Sequence, residues 1–313
     1  MLRAIRCVSL GVAIAALAGC NPTYPLNSPA TSVHAISPRA DGVAPSASDN
    51  LLYVIDPGSM AAMEYTFKPA ALRFAAILNG VQDPFGACVD ASQNVWITQT
   101  GTLLARFAHG ATSPDATLNV KSGSPMDCSV DDNTGDLAVL AETVIISTVD
   151  LFKGGRGRPA EIPLGRIVEA YCSYDGYGNL FVAGQSSGRD PLLYEIPNGG
   201  KSYKVISMNQ APAQPGGIAW DGTYLDIADS TIGAIDRFEV SGSSATLFDS
   251  IPLEATGMIG KFSVSGKYLV VPFQSGSNGF VNVYSYPAGG KRLRTLRSFS
   301  IPRAAIVSTG SKS

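Results

Sequence analysis

Few stretches of this 313-residue chain have the residue types and spacing for chemistry. Gly184-Gln-Ser-Ser-Gly188 has the spacing of a serine nucleophile elbow. That chemistry needs a strand–turn–helix setting and a histidine base. Here the segment joins two expected strands, and the two histidines are His34, in a proline-rich stretch, and His109, in an expected outer loop. A serine hydrolase is therefore not expected. Asp131-Asp-Asn-Thr-Gly-Asp136 offers the oxygens of a Ca²⁺ loop, but it lacks the full spacing and the terminal bidentate glutamate. It reads as a hairpin turn. Phe152-Lys-Gly-Gly-Arg-Gly-Arg-Pro159 is glycine-rich and basic without the Gly-Lys-Ser/Thr ending of a phosphate loop. Lys291, Arg292, Arg294 and Arg297 suit a solvated outer strand or an anionic partner patch.

The N-terminus carries a different chemistry. Arg3 and Arg6 precede a short apolar run, 8–17, too short to span a bilayer comfortably, which ends in Leu17-Ala-Gly-Cys20. This resembles the lipobox of bacterial lipoproteins. The resemblance implies a signal peptide over 1–19 and a lipidated Cys20 as the first mature residue. It also implies a cell-envelope protein, periplasmic or surface-exposed, whose membrane partner is reached through the lipid. Buried acyl chains contribute roughly 0.8 kcal/mol per methylene, so several would hold the protein at a membrane. Without Arg3 and Arg6 the 23 cations fall to 21 against 25 carboxylates, a net charge of −4. That excludes the basic signature of a nucleic-acid partner. Residues 20–47, rich in Pro, Ser and Ala, read as an extended tether, and 310–313 as a disordered tail.

Cys88, Cys128 and Cys172 remain, an odd number for an oxidising compartment. They are expected as small buried side chains where space is tight. A Cys128–Cys172 disulfide stays open as an alternative and would need Cα atoms within about 7 Å.

The elements that must position such residues are strands. Hydrophobic content of 45% against 15% charged residues allows a sizeable core, and 33 glycines and 20 prolines imply many turns. One phrase recurs: Pro84-Phe-Gly-Ala-Cys-Val-Asp90 followed by Asn94-Val-Trp-Ile97. It returns around Met126–131, 171–175, 217–221 and 261–265, each followed by a second apolar run. The residues Val54, Ile97, Val139, Val182, Ile227 and Val270 are separated by 43, 42, 43, 45 and 43 positions. A period near 43 with four short strands per unit predicts a β-propeller blade, and six second strands predict six blades. The first unit lacks its inner strand. Pro302-Arg-Ala-Ala-Ile-Val307 mimics that strand, so the C-terminus should close the ring over 48–309 and remove the exposed sheet edge. The fold class is therefore all-β. Small residues at the inner strands and Trp96, Phe107, Phe181, Tyr194, Phe238 and Tyr284 further out fit wedges that widen from the axis.

The repeat resembles the NHL family, with Pro215-Gly-Gly-Ile-Ala-Trp-Asp221 and Ile227-Ala-Asp229 as the best match. It departs from that pattern at Ser265, where the aspartate is missing, and at Asp127, where the glycine is missing. Asp90, Asp131, Asp175 and Asp221 are expected to cap the turn into each second strand. In related folds function sits at the channel mouth. The residues that open the inner strands are Asp83, Ser124, Glu169, Gln214, Thr256 and Arg303; loops after the second strands add Gln99, Glu142, Gln185, Asp229 and Gln274. Asp83, Glu142, Glu169, Gln214 and Asp229 are the candidate binding residues. Lactonase-like six-bladed relatives hold one divalent cation, Ca²⁺ or similar, at this mouth with Glu, Asn and Asp, and Asp83, Glu169 and Asp229 are the counterparts. No asparagine opens an inner strand here, and no histidine stands where the streptogramin-lyase relatives use one as base. The expected function is therefore a monomeric, lipid-anchored binding or scaffold module for protein or glycan, without a cofactor. A metal-dependent lactonase or hydrolase is the alternative.

Overall fold

The computed structural model describes residues 45–311 except 70 and 199. The leader, Cys20, His34 and most of the tether lie outside the described residues.

The described residues form six sheets, one per blade, antiparallel apart from one short parallel pairing at the outer edge of blade five. Blade one contains Leu51–Asp56, Ala61–Thr66 and Arg73–Ile77, and its inner strand is the C-terminal Ala304–Ser308. The inner strands of blades two to five are Pro84–Val89, Ser124–Val130, Val168–Tyr174 and Pro215–Trp220. Their second strands are Val95–Gln99, Leu137–Glu142, Leu180–Gln185 and Leu225–Asp229. Blade six has a broken inner strand, Met258–Ile259 and Ser263–Ser265, followed by Tyr268–Ser275, Asn278–Ser285 and Gly289–Phe299. The period residues oppose the inner strands in register: Ile97 faces Ala87, Val139 faces Cys128, Val182 faces Cys172 and Ile227 faces Ile218.

Ring closure follows the expectation. Leu51 pairs with Ser308 and Ile55 with Ala304. Asp56 fastens the same seam, accepting the backbone N–H of Ser300 (2.9 Å) and Ile301 (2.6 Å). His109 does so too: Nδ1 lies 2.6 Å from Ser308 Oγ, and Nε2 donates to the Asp49 carbonyl at 3.0 Å.

Each blade is apolar on both faces because each packs on two neighbours. Among the described residues the core falls into five clusters, one at each junction from blades one and two to blades five and six. Ile55, Ala87, Ile97 and Phe107 join blades one and two, and Leu140, Cys172 and Val182 join three and four. Phe181, Ile227 and Phe238 join four and five. Each fully buried Leu, Ile or Val contributes roughly 1.5–3 kcal/mol. Near the axis the inner strands approach until backbone meets backbone. A Cβ on Gly217 would overlap the Gly260 carbonyl oxygen of the next blade, so only glycine fits there.

The aspartates cap as expected. Asp90 accepts from Asn94 N, Asp131 from Asn133 N, Asp175 from Tyr177 N and Asn179 N, and Asp221 from Thr223 N and Tyr224 N, at 2.6–3.0 Å. Two points differ from the sequence reading. Four short strands per unit were expected, but the outer strand of blade four is broken: Lys204–Val205 stays in blade four, whereas Ser207–Met208 pairs in parallel with Ser244–Pro252 of blade five. The cysteine alternative is also corrected. Cys88 bonds Cys128, with Cα atoms 5.5 Å apart, joining the inner strands of blades two and three, and Cys172 is the free, buried thiol. Burial pushes the Cys172 thiol well above its ordinary range and so disfavours the thiolate.

Candidate functional site

The axis is shaped by the place that is glycine in blades two and five, Gly86 and Gly217. The residue at that place is Asp127 in blade three and Tyr171 in blade four. In blade six Lys261 lies beside Ala304 of blade one, the two forming a parallel bridge. Lys261 crosses from blade six to blade three. Its ammonium donates to Asp127 Oδ2 (2.9 Å), the Cys128 carbonyl (2.5 Å) and the Cys172 carbonyl (2.8 Å). Asp127 Oδ2 also accepts the Cys172 N–H at 2.9 Å, while Oδ1 is buried without a hydrogen-bond partner. Burial pushes the Asp127 carboxyl up; Lys261 and the Cys172 amide pull it back. This strut is a structural tie, with all three ammonium protons used.

At the end where the inner strands begin lies a cavity of about 170 Å³ lined by Phe85, Met126, Glu142, Glu169, Tyr171 and Arg303. Arg303 reaches it from the closing strand. Its guanidinium sits 4.9 Å from the Phe85 ring centroid and makes a long 3.5 Å contact to Tyr171 Oη. Burial opposes the Arg303 charge, but Tyr171, Glu169 and Glu142 hold it, and the net effect is upward. Glu142 ends the second strand of blade three. Its Oε1 is buried and has no hydrogen-bond partner. Burial raises its pKa, Arg166 and Arg303 draw it down, and Glu169 adds to the rise. Glu169 opens the inner strand of blade four with a left-handed φ of 52°, a conformation that costs energy for a residue other than glycine. Among the described residues, no ion pair within 4.0 Å joins Arg303 to either glutamate.

Of the five residues expected at the mouth, the fold brings Glu142 and Glu169 together. The other three do not line the cavity. Asp229 spends both carboxylate oxygens on backbone, accepting from Ala213 N (3.1 Å), which precedes the inner strand, and from Thr231 N (2.8 Å) in its own loop. Asp83 is exposed, and only its carbonyl is engaged, by Thr100 N at 3.2 Å. Gln214 is half-buried and accepts Ser230 N through its carbonyl. The donor set therefore does not fit a divalent cation: the three proposed oxygen ligands, Asp83, Glu169 and Asp229, do not converge. Among the described residues no group of three or more His, Cys, Asp or Glu is placed to hold a metal.

The sequence reading placed Arg303 on the ring but not in the site. It missed Phe85, Met126 and Tyr171. The available signal was large side chains beside strand openings, where the other repeats carry small ones.

At the opposite end a second cavity of about 210 Å³ is lined by Lys261, Asp132, Trp220, Tyr174, Ser263 and Ile306, among others. Ser263 Oγ there is used internally, donating to the Ala305 carbonyl at 2.7 Å.

No family model and no curated protein matches the chain. Solved structures do. A chain of the nidogen/laminin complex has a TM-score of 0.66 at 13% identity, covering 84% of this chain and 100% of its own. A Bacteroides caccae protein of unknown function has a TM-score of 0.60 at 9% identity, covering 83% of this chain and 99% of its own. TolB from Acinetobacter baumannii has a TM-score of 0.57 at 12% identity, covering 83% of this chain and 67% of its own. At these identities the likeness is one of fold, and the chain is a six-bladed β-propeller.

Proposed function

We propose that this propeller is a lipid-anchored, extracytoplasmic binding module whose mouth face docks a protein partner. One observation carries the reading. The charged mouth is surrounded by exposed apolar tips of the loops between second and third strands: Met60 (64% exposed) in blade one, Val144 (85%) and Ile145 (78%) in blade three, and Ile232 (63%) in blade five. Antiparallel blades put these loops at the end where the inner strands begin. Solvent-facing aliphatic groups around a pocket have the make-up of an interface, an apolar area with a few polar groups that fix orientation. The anchor rests on the leader and Cys20, and a tether of the length of 20–47 would let the disc stand off the membrane.

Affinity capture from the native envelope with full-length protein tests both halves. A partner retained by wild type and by Tyr177→Ser on the opposite face, but lost by Val144→Asp/Ile145→Asp, supports the docking face. Capture indifferent to the loop change refutes it. Continued membrane partitioning of processed Cys20→Ala protein refutes the anchor.

A further inference from the structure

The inventory of unmet polar groups at the mouth says what the partner must bring. Arg303 lies against the Phe85 face with one N–H 3.5 Å from the Tyr171 hydroxyl, and the two glutamates act on its charge without an ion pair within 4.0 Å. Arg166 is likewise engaged, donating to the Thr143 and Val144 carbonyls and so bracing the Val144–Ile145 tip. The carboxylates are not partnered. Glu142 Oε1 is buried without a donor, and Glu169 lines the same cavity with no hydrogen bond or ion pair to its side chain among the described residues. The lining sets two carboxylates against one guanidinium, which leaves a net negative charge and a buried acceptor without a donor. A buried acceptor left unmet costs free energy that an incoming donor recovers, and more so when donor and acceptor are charged. The space, about 170 Å³, admits the end of a long side chain but not a folded element.

Resting on the mouth-face reading above, we propose that Glu142 and Glu169 form the acceptor pocket for a lysine or arginine side chain of a polypeptide partner. The residues flanking that side chain are apolar and cover Val144, Ile145 and Ile232. The ammonium or guanidinium donates to the two carboxylates and lies away from Arg303. The cation–aromatic contact with Phe85 and the contact to Tyr171 keep that guanidinium on its own side of the cavity.

The probe is a displayed library of random heptapeptides, selected against the full-length protein; enriched peptides are resynthesised with a fluorescein label and titrated by anisotropy. The expected consensus is one Lys or Arg between apolar residues. Affinity should fall roughly 10- to 100-fold with Glu142→Gln/Glu169→Gln, the loss expected for a charge-assisted hydrogen bond. It should fall by a similar factor when the peptide lysine is replaced by norleucine, a change that leaves the protein untouched and so reads the same contact even if the double variant folds poorly. Enriched peptides that lack a basic residue, yet lose binding to Val144→Asp/Ile145→Asp, overturn the lysine or arginine pocket and leave the docking face standing. No enrichment, or binding indifferent to both sets of variants, overturns both.

Discussion

Replacing Lys261 by Met keeps most of the side-chain volume and removes the ammonium that crosses the channel. Three acceptors lose their donor at once: Asp127 Oδ2 and the carbonyls of Cys128 and Cys172. Asp127 is 0% exposed, and its Oδ1 already lacks a partner, so its charge becomes a buried, unpaired carboxylate. Breaking a buried pair from one side costs about 3–5 kcal/mol. For a chain of this size that is a fall in Tm of roughly 6–20 °C. The cost depends on pH in a defined direction. Burial pushes the Asp127 carboxyl up, and without Lys261 less pulls it back. A carboxyl with a raised folded pKa takes up a proton on folding, so the variant gains stability on acidification and loses it as pH rises, by at most about 1.4 kcal/mol per pH unit. The assay is urea denaturation from pH 5 to 8 of wild type, Lys261→Met, Asp127→Asn and the double variant. The double variant removes both charges and leaves an oxygen for the Cys172 N–H; it should be more stable than Lys261→Met alone, a non-additive cycle. A Lys261→Met cost below about 1 kcal/mol, or a double variant as unstable as the sum of the singles, refutes the strut.

Three further outcomes are expected. Tyr286 Oη lies 2.6 Å from Asp221 Oδ2 and 2.8 Å from Asp226 Oδ2 but has one proton to give, so Asp226 holds the second. Burial first, with Asp221 adding to it against the Tyr286 and Arg237 pull, pushes Asp226 up to about 8. Stability should fall as pH rises between the ordinary value of 3.8 and about 8. Asp226→Asn should flatten that slope in pH-dependent melts, and an unchanged slope sinks the assignment. Cys88→Ser/Cys128→Ser opens a loop of sequence separation 40 and should cost about 4 kcal/mol by chain entropy, while thiol titration of the unfolded, unreduced wild type finds Cys172 free and Cys88 and Cys128 blocked. Deleting 303–313 strips the inner strand from blade one and bares the Leu51–Asp56 edge; gel filtration should show aggregation, and a well-behaved monomer contradicts the closure.

What the sequence determined by itself was the repeat and its consequences. A period near 43 counts the blades, and the likeness of 302–307 to 84–89 says how the ring shuts. Asp90, Asp131, Asp175 and Asp221 announce their turns because a cap bonds its own backbone a few residues on. These are local or periodic facts, written along the chain. What tertiary structure decided was everything that crosses the axis. Lys261 meets Asp127 over a separation of 134 residues. The Cys88–Cys128 pairing, rather than Cys128–Cys172, depended on which inner strands bring their Cβ atoms within reach. Glu142, Glu169 and Arg303 converge on one cavity while Asp83, Gln214 and Asp229 do not line it, although Glu142 and Asp229 both end second strands and the other four all stand at strand openings. The repeat fixes the height of a residue on the axis; for Asp229 the direction of the side chain is set by the Ala213 and Thr231 N–H groups that claim its carboxylate. The departure at Asp127 was visible in the sequence. Its partner on the far side of the ring was not, because no pattern along one strand records what lies across a channel.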